Sequence, residues 1–320
     1  DLGSNEILQS KDKTVAIIDG SGVIHDPHGL DREELVHLAK ERKTISHFDP
    51  SKLSKDGYRV LVEDRNLKLP SGEVVPDGFN FRNGAHLRYK ADLFVPCGGR
   101  PESINVTNVQ QLIKGETTNY KYIVEGANLF ITRQARLELE KNGVILYPDA
   151  SANKGGVTSS SLEVLVGLSL TDEEYIQNML FVDGKPTPFY MNYVRDIQSI
   201  IARNARGEFE AIWRENEETG KPRSFISTDL SRSLNLLSLE IEKTNLFEQD
   251  TLRNTILKLV FPQSLVAKVG LDELVRRVPE SYLKSAFAAQ VAAGFIYAKG
   301  PRASHVDFYD HISALLQGSS

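Results

Sequence analysis

The amino-acid sequence predicts an α/β domain with a doubly wound parallel sheet, followed by a mainly α-helical C-terminal region. Up to about residue 165, short apolar runs of strand length alternate with amphipathic helical stretches, as in parallel sheets with helices on both faces. Beyond that point the strand patterns fade and helical periodicity continues. We therefore expect one domain over residues 1–165 and a helical region over residues 166–320.

Four apolar runs are the predicted strands of the sheet. They are rich in Val, Ile, Leu and aromatic residues and are apolar on both faces, as strands buried in a parallel sheet are. They read VAIID (15–19), ADLFVPC (91–97), KYIVEG (121–126) and GVILYP (143–148).

Two helical stretches lie between these runs. DREELVHLAKER (31–42) begins with Asp31, a favourable N-cap residue. TRQARLELEKNG (132–143) ends at Gly143, which can adopt the left-handed backbone that closes a helix. Residues 63–84 interrupt the alternation with Pro- and Gly-rich turns, which indicates a small inserted hairpin.

The C-terminal region carries two clear helical patterns. Apolar residues recur at spacings of three and four between Tyr190 and Ile212, which predicts one long amphipathic helix. A second helix is predicted from Pro279 to Gly300, and the remainder to about residue 317 is also expected to be helical.

The composition limits the partners and the compartment. The chain has 320 residues, 40% of them hydrophobic and 25% charged, and its net charge of −5 is spread along the sequence. There is thus no electrostatic reason to expect binding to nucleic acid or to an anionic membrane. The single cysteine, Cys97, excludes an intramolecular disulfide. Without a signal peptide or transmembrane pattern, we expect an intracellular protein, cytoplasmic or mitochondrial.

The opening residues carry half of a dinucleotide-binding fingerprint. DLGSNEIL lacks an initiator methionine and reads as the middle of an element, so we expect a piece of a longer chain. Rossmann-type sites place G-x-G-x-x-G/A after the first strand, with an acidic residue about 20 positions further on. If Gly3 is the third glycine, the first strand lies before the printed sequence, and Asp19 falls at the expected spacing.

Asp19 also ends an apolar run, where a ribose-binding carboxylate belongs. Such a carboxylate repels a 2′-phosphate, and no arginine follows in DGSG (19–22) to neutralise one, which favours NAD over NADP. The alternative is that Asp19 simply opens a turn.

Three predicted strands end in residues that suit a ligand. LFVPC is followed by Gly98-Gly99, YIVEG by Ala127-Asn128, and VILYP by DASANKGGVTSSS (149–161). Each alone is compatible with an ordinary turn. Ligands of open α/β sheets bind at the carboxyl ends of the strands, so three such ends together favour a binding site.

The motifs ADLFVPCGG, VEGAN and PDASANKGGVTSSSLE, in this order and spacing, resemble the coenzyme domain of the glutamate dehydrogenases. The opening DLGSNE, the insertion at 63–84 and the helical tail are more similar to the large NAD-specific members found in fungi. The general resemblance covers about residues 1–165 and implies a Rossmann-like NAD domain that is incomplete at its N-terminus.

The resemblance implies roles for single residues through their positions in these motifs. Val157 is expected to pack on the side chain of the amino-acid substrate, and Ser160 to bond a substrate carboxylate. The coenzyme-binding residues are expected to be Gly3, Asp19, Gly20, Pro96, Cys97, Gly98, Asn128 and Asn153.

The small and polar residues at 155–161 then have a functional interpretation. Gly155 and Gly156 leave room for nicotinamide and substrate at a helix N-terminus, whose free N–H groups suit an anionic amino acid. The hydroxyls of the first turn would supply directional hydrogen bonds. The alternative is an ordinary capped helix entrance.

Other reactive side chains have simpler interpretations. Lys154 is expected to be solvated rather than to bind phosphate or substrate. Cys97 is expected to pack near the cofactor rather than act as a nucleophile, because no Cys–His pairing is evident. His25, Asp26 and His28 are expected to be solvated turn residues rather than metal ligands.

The function implied by the resemblance is oxidative deamination of L-glutamate to 2-oxoglutarate and ammonia, with hydride transfer to NAD. The family's catalytic lysine and aspartate have no match here and are expected in a separate N-terminal domain, so the chain alone should be inactive. The longer protein is expected to be a homo-oligomer, a tetramer by resemblance. Two alternatives stay open: a dehydrogenase acting on leucine, valine or phenylalanine, and a non-catalytic regulatory or oligomerisation module.

Overall fold

The computed structural model describes residues 2–115 and 117–317. The chain forms two compact units, of which the first ends at Asp149 and the second begins at Ala150. Each unit has hydrophobic cores of its own.

The first unit is built from short strands and helices. Its helices are α1 (Leu2–Gln9), α2 (Arg32–Glu41), α3 (Gly78–Gly84) and α4 (Arg133–Lys141). Its strands are β1 (Ala16–Ile18), β2 (Gly22–His25), β3 (Tyr58–Leu61), β4 (Arg65–Lys68), β5 (Val74–Asp77), β6 (Ala91–Phe94), β7 (Ile113–Lys114), β8 (Thr117–Thr118), β9 (Tyr120–Val124) and β10 (Ile145–Tyr147).

Three of the four predicted strands form a parallel sheet, as the sequence predicts. The order is β10-β9-β6, with Leu93 opposite Tyr122 and Tyr122 opposite Ile145. Ile123 and Leu146 are completely buried in the core beside this sheet. The carboxyl ends of the three strands therefore meet at one edge.

The run VAIID is not part of this parallel sheet, contrary to the prediction. Its strand β1 pairs antiparallel with β2, and β2 pairs antiparallel with β3. The cause is a tight turn, in which the amide of Asp19 donates to the carbonyl of Gly22 at 3.0 Å. Such a short connection can join only antiparallel neighbours, because parallel strands need a long crossover.

The predicted helix ends in the first unit are confirmed. The Asp31 side chain accepts a hydrogen bond from the amide of Glu34 and so caps α2. Helix α4 is capped by Thr132 and is followed by Gly143 at φ 85°, the left-handed conformation that glycine adopts without strain. The inserted segment contains the expected hairpin, formed by β4 and β5.

The second unit is helical, as predicted, and α5 (Asp149–Ala152) leads into it. Its helices are α6 (Gly155–Ser169), α7 (Asp172–Met179), α8 (Pro188–Thr219), α9 (Arg223–Ile241), α10 (Asp250–Val260), α11 (Gln263–Val269), α12 (Leu271–Arg277), α13 (Glu280–Lys299) and α14 (His305–Gln317).

Helix α8 is the long amphipathic helix that the sequence predicts, and it has 32 residues. Thr187 caps its first turn by accepting from the amide of Tyr190, and Pro188 occupies the first helical position. Its buried residues include Tyr193 and Ile212. Helix α13 contributes seven buried residues, including Phe287, which is 1% exposed.

Across the described ranges, every helix is too short or too polar to span a lipid bilayer.

Candidate functional site

The loops that follow β6 and β9 are joined by a backbone hydrogen bond. The amide of Ala127 donates to the carbonyl oxygen of Pro96 at 2.7 Å. This bond brings the predicted site residues Pro96, Cys97 and Gly98 next to the loop that carries Asn128. The convergence expected for neighbouring parallel strands is therefore present for these two loops.

Gly3 in helix α1 lies next to Cys97 in the loop after β6. A Cβ atom at Gly3 would stand 3.8 Å from the Cβ of Cys97, which is ordinary contact distance. Gly99 closes the loop at φ 123°, where a Cβ atom would come within 2.8 Å of the Phe130 ring. Only glycine fits that position, so the second glycine of the Gly98-Gly99 pair shapes the loop.

Asp19 organises its own turn. One carboxylate oxygen accepts from the Ser21 amide at 2.8 Å and from the Ser21 hydroxyl at 2.7 Å. The other oxygen accepts from the amide of Ile45 at 2.8 Å, and the backbone carbonyl accepts from Nε of Arg82. Gly20 beside it is exposed. The turn-forming role of Asp19 is thus real, and Oδ2 retains acceptor capacity for a further donor.

A buried ion-pair network fixes the loop after β9. Glu125, with a side chain 0% exposed, accepts two hydrogen bonds from Arg136 at 2.7 and 2.9 Å. Arg136 also donates to Asp149 at 2.9 Å, and the other oxygen of Asp149 accepts from the amide of Leu129 at 2.7 Å. Burial raises the pKa of the Glu125 carboxyl, and the hydrogen bonds from Arg136 offset part of that rise.

This network was not predicted from the sequence, although signals for it exist. Glu125 and Asp149 are acidic residues directly after two apolar strands. Arg136 lies one turn from Leu139, on the buried stripe of α4, where a cation requires a partner. The network ties the ends of two strands and one helix around the loop of residues 126–129.

The Cys97 thiol is half-buried, and burial raises its pKa from 9.0 to about 11. With a pKa of about 11 instead of 9.0, the thiolate fraction of Cys97 at pH 7 is about a hundredfold lower. We expect iodoacetamide to alkylate Cys97 in the folded protein at pH 7 about a hundredfold more slowly than in urea. Mass spectrometry of timed samples measures both rates, and equal rates would contradict the assignment of Cys97 as an inert packing residue.

The remaining predicted site residues lie in the second unit. Asn153 lies in the short segment between α5 and α6, and Val157 and Ser160 stand three residues apart on one face of α6. Val157 is 75% exposed and Ser160 is also exposed, so both are available to a ligand.

The hydroxyls at the start of α6 are already used within the helix. Ser160 Oγ donates to the carbonyl of Gly156 at 3.0 Å, and the hydroxyls of Thr158, Ser159 and Ser161 likewise donate to carbonyls three or four residues earlier. A carboxylate ligand must compete for the Ser160 proton, whereas the lone pairs of Ser160 remain open to a donor.

Lys154 is only partly solvated, since 43% of its side chain is exposed and the residue has a partner that was not predicted. Its ammonium forms an ion pair with Glu208 of helix α8, whose side chain is 3% exposed. A buried carboxylate needs a cationic or hydrogen-bonding partner, and Lys154 is one such partner for Glu208. The sequence around Lys154 alone could not reveal a partner 54 positions away.

The expectation of solvated turn residues is wrong for two of the three residues in the His25, Asp26 and His28 segment: His25 ends strand β2 and Asp26 is 1% exposed, whereas His28 is exposed. Asp26 is buried and accepts from the amide and hydroxyl of Ser54 and from the amide of His28. The His25 ring stacks on Tyr89 at 4.5 Å. Within the described part of the chain, His, Cys, Asp and Glu form no group suited to a metal ion.

Comparison with known proteins relates this arrangement to a family. Residues 1–220 match the family model described as glutamate/leucine/phenylalanine/valine dehydrogenase. The chain is similar to the probable NAD-specific glutamate dehydrogenase of Schizosaccharomyces pombe, 53% identical over 98% of this chain and 28% of that protein. It is also similar to the NAD-specific glutamate dehydrogenase of Neurospora crassa, 52% identical over 98% of this chain and 30% of that protein.

A shorter match reaches the glutamate dehydrogenase of Aeropyrum pernix, which is 28% identical over 52% of this chain and 32% of that protein. The chain therefore spans less than a third of the length of the two fungal relatives.

Proposed function

The chain belongs to the glutamate/leucine/phenylalanine/valine dehydrogenase family, and on this premise we propose that it is the coenzyme-binding part of an NAD-dependent glutamate dehydrogenase. The reaction is oxidative deamination of L-glutamate to 2-oxoglutarate and ammonia. The observation that carries this proposal is identity of 52–53% over 98% of the chain to proteins named NAD-specific glutamate dehydrogenase. NAD, when bound, supplies the hydride acceptor.

The residues present fit a dinucleotide. Asp19 keeps acceptor capacity at Oδ2 for a ribose hydroxyl, and its negative charge would repel a 2′-phosphate. The joined loops after β6 and β9 offer backbone groups of small residues, which allow close approach of a ligand. We assign coenzyme contacts to Gly3, Asp19, Gly20, Pro96, Cys97, Gly98, Asn128 and Asn153.

The substrate-binding assignment rests on the exposed face of α6. Val157 offers an apolar contact to the substrate side chain, and Ser160 offers a hydroxyl to a carboxylate. The helix N-terminus adds a positive dipole end close to both residues. We assign the catalytic lysine and aspartate to other parts of the longer protein, and no catalytic residue to this chain.

The wider properties follow from the same proposal. We assign coenzyme binding to residues 1–165 and the helical region to residues 166–320. The longer protein is proposed to be a homo-oligomer, a tetramer by resemblance, that acts inside the cell, in the cytoplasm or mitochondrion, on a small molecule and without nucleic-acid or membrane partners.

The test uses the full-length protein with NAD and each of four amino acids. We expect NADH formation with L-glutamate and at least about a hundredfold lower kcat/KM with leucine, valine or phenylalanine. The polar groups that bind the anionic side chain of glutamate would be left without a partner by an apolar side chain. Preference for one of the three apolar amino acids would reassign the substrate. Absence of turnover with all four would favour the non-catalytic module.

The coenzyme assignment is tested by Asp19→Asn in the same protein, with the exposed Asp12→Asn as the control. Removal of the Asp19 charge should lower the NAD-over-NADP ratio of kcat/KM at least about tenfold, a change of about 1.4 kcal/mol. An unchanged ratio in Asp19→Asn would show that the carboxylate only forms its turn.

A further inference from the structure

A carboxylate in the middle of the long helix α8 accepts hydrogen bonds from three side chains of the second unit. Glu208 is 3% exposed. Its Oε1 accepts from the hydroxyl of Ser151 at 2.7 Å, and its Oε2 accepts from the hydroxyl of Tyr297 at 2.8 Å and from the ammonium of Lys154. The Ser151 hydroxyl also lies 2.5 Å from the hydroxyl of Ser227. We call these five residues the Glu208 cluster.

Residues of the Glu208 cluster lie on both sides of Asn153 in the sequence. Ser151 and Lys154 are the residues two before and one after Asn153, and both bond the same carboxylate. The other members belong to three long helices, since Glu208 lies on α8, Ser227 on α9 and Tyr297 on α13. The segment of residues 151–154 is therefore attached to the helical framework at two points.

The attachment continues into the first turn of α6. The backbone carbonyl of Lys154 accepts from the amide and the hydroxyl of Thr158, both at 3.0 Å. A Cβ atom at Gly155 would lie 3.5 Å from the Ile201 side chain of α8, so the helix entrance also packs on that framework. The orientation of the face that carries Val157 and Ser160 follows from these contacts.

The burial of Glu208 makes movement of the 151–154 segment energetically unfavourable. A carboxylate this deeply buried loses its hydration, and its protein partners must replace it. Movement of the 151–154 segment away from α8 would leave the Glu208 charge with one hydroxyl partner, from Tyr297. Buried polar networks of this kind specify one conformation rather than several.

We propose that the Glu208 cluster is a positioning device that sets Asn153 and the first turn of α6 for the coenzyme and the amino-acid substrate. Glu208, Lys154 and Tyr297 act through that segment and are positioning residues, not catalytic ones. This inference rests on the proposed function, because that function assigns the coenzyme to Asn153 and the substrate to Val157 and Ser160. It assigns a purpose to part of the helical region, which is to hold one wall of the site.

The kinetic test uses full-length Glu208→Gln, Lys154→Met, Lys154→Arg and Tyr297→Phe, with the exposed Glu210→Gln of the same helix as the control. Displacement of a positioned group by about 1 Å lowers the reaction rate on the order of a hundredfold. We expect Glu208→Gln and Lys154→Met to lower kcat/KM for glutamate on the order of tenfold to a hundredfold. Lys154→Arg, which keeps the ion pair, should stay within about threefold of wild type, as should Glu210→Gln.

A second readout separates positioning from simple loss of stability. Hydrogen–deuterium exchange in the same proteins should show faster exchange of the amides of residues 151–156 in Glu208→Gln, with the amides of α9 unchanged. If Glu208→Gln fails to fold, Lys154→Met and Tyr297→Phe carry both measurements, because each keeps the carboxylate and two of its three partners.

The outcomes distinguish this proposal from the function on which it rests. Wild-type protein without glutamate-dependent NADH formation would overturn the proposed function, and faster exchange at 151–156 would still support the structural role of the cluster. An active wild type with Glu208→Gln and Lys154→Met within about twofold of it would overturn the positioning role alone. Equal losses in Lys154→Arg and Lys154→Met would also overturn it, since the ion pair would then be irrelevant.

Discussion

Replacement of Arg136 by methionine is expected to lower the free energy of unfolding by about 3–5 kcal/mol, because it leaves a buried carboxylate without its cation. Glu125 has no exposed side-chain surface and loses both of its hydrogen bonds from Arg136. Asp149 loses one partner as well. Urea unfolding followed by circular dichroism measures the change.

The matched control is Arg133→Met on the same helix, where the side chain is exposed. Its effect should stay within about 0.5 kcal/mol. Equal effects of Arg133→Met and Arg136→Met would mean that the loss reflects helix charge rather than the buried network.

The Arg136→Met variant should also depend on pH in a defined direction. Burial already raises the pKa of Glu125 above its ordinary value of 4.5, and loss of the guanidinium raises it further. A carboxyl with a raised pKa in the folded state contributes its stability below the unfolded pKa and loses it as pH rises through the folded pKa. The variant should therefore be closer to wild type at pH 5 than at pH 7, and the opposite order would contradict the assignment.

Replacement of Phe287 by alanine is expected to cost about 3–5 kcal/mol of unfolding free energy, because it leaves a large cavity in the core of the second unit. Phe287 is 1% exposed, and its ring meets that of Phe247 edge to face at 5.5 Å. The control is Phe209→Ala, where the side chain is 47% exposed and the cost should be about 1 kcal/mol or less. A similar cost for both substitutions would show that the core does not pack as described.

Local features of the fold could be predicted from short stretches of sequence. Asp31 caps α2, and Gly143 follows α4 in the left-handed conformation. These outcomes depend on neighbouring residues alone, so the sequence pattern contains the needed information. The long helix α8 was predictable for the same reason, because its apolar stripe repeats over many turns.

Pairing between distant segments was harder to predict. The VAIID run has the composition of a central parallel strand, and the turn at Asp19 nevertheless pairs it with β2. Composition reports burial and β-propensity, whereas the partner of a strand depends on the connection and on the rest of the sheet.

The candidate site shows the same division. The loops at Pro96 and Asn128 were expected together, because neighbouring parallel strands end at one edge. The partners of Arg136 and Lys154 were not found, since ion pairs across tens of residues leave no local pattern. The ion pair of Lys154 could not be predicted from its neighbours in sequence, because its partner Glu208 lies on another helix.

The low thiolate population of Cys97 makes this chain convenient for spectroscopy. An introduced cysteine at an exposed position such as Glu210 would react with maleimide reagents well before the native sulfur does. A fluorophore or spin probe could then be attached to this part of the protein without first removing Cys97.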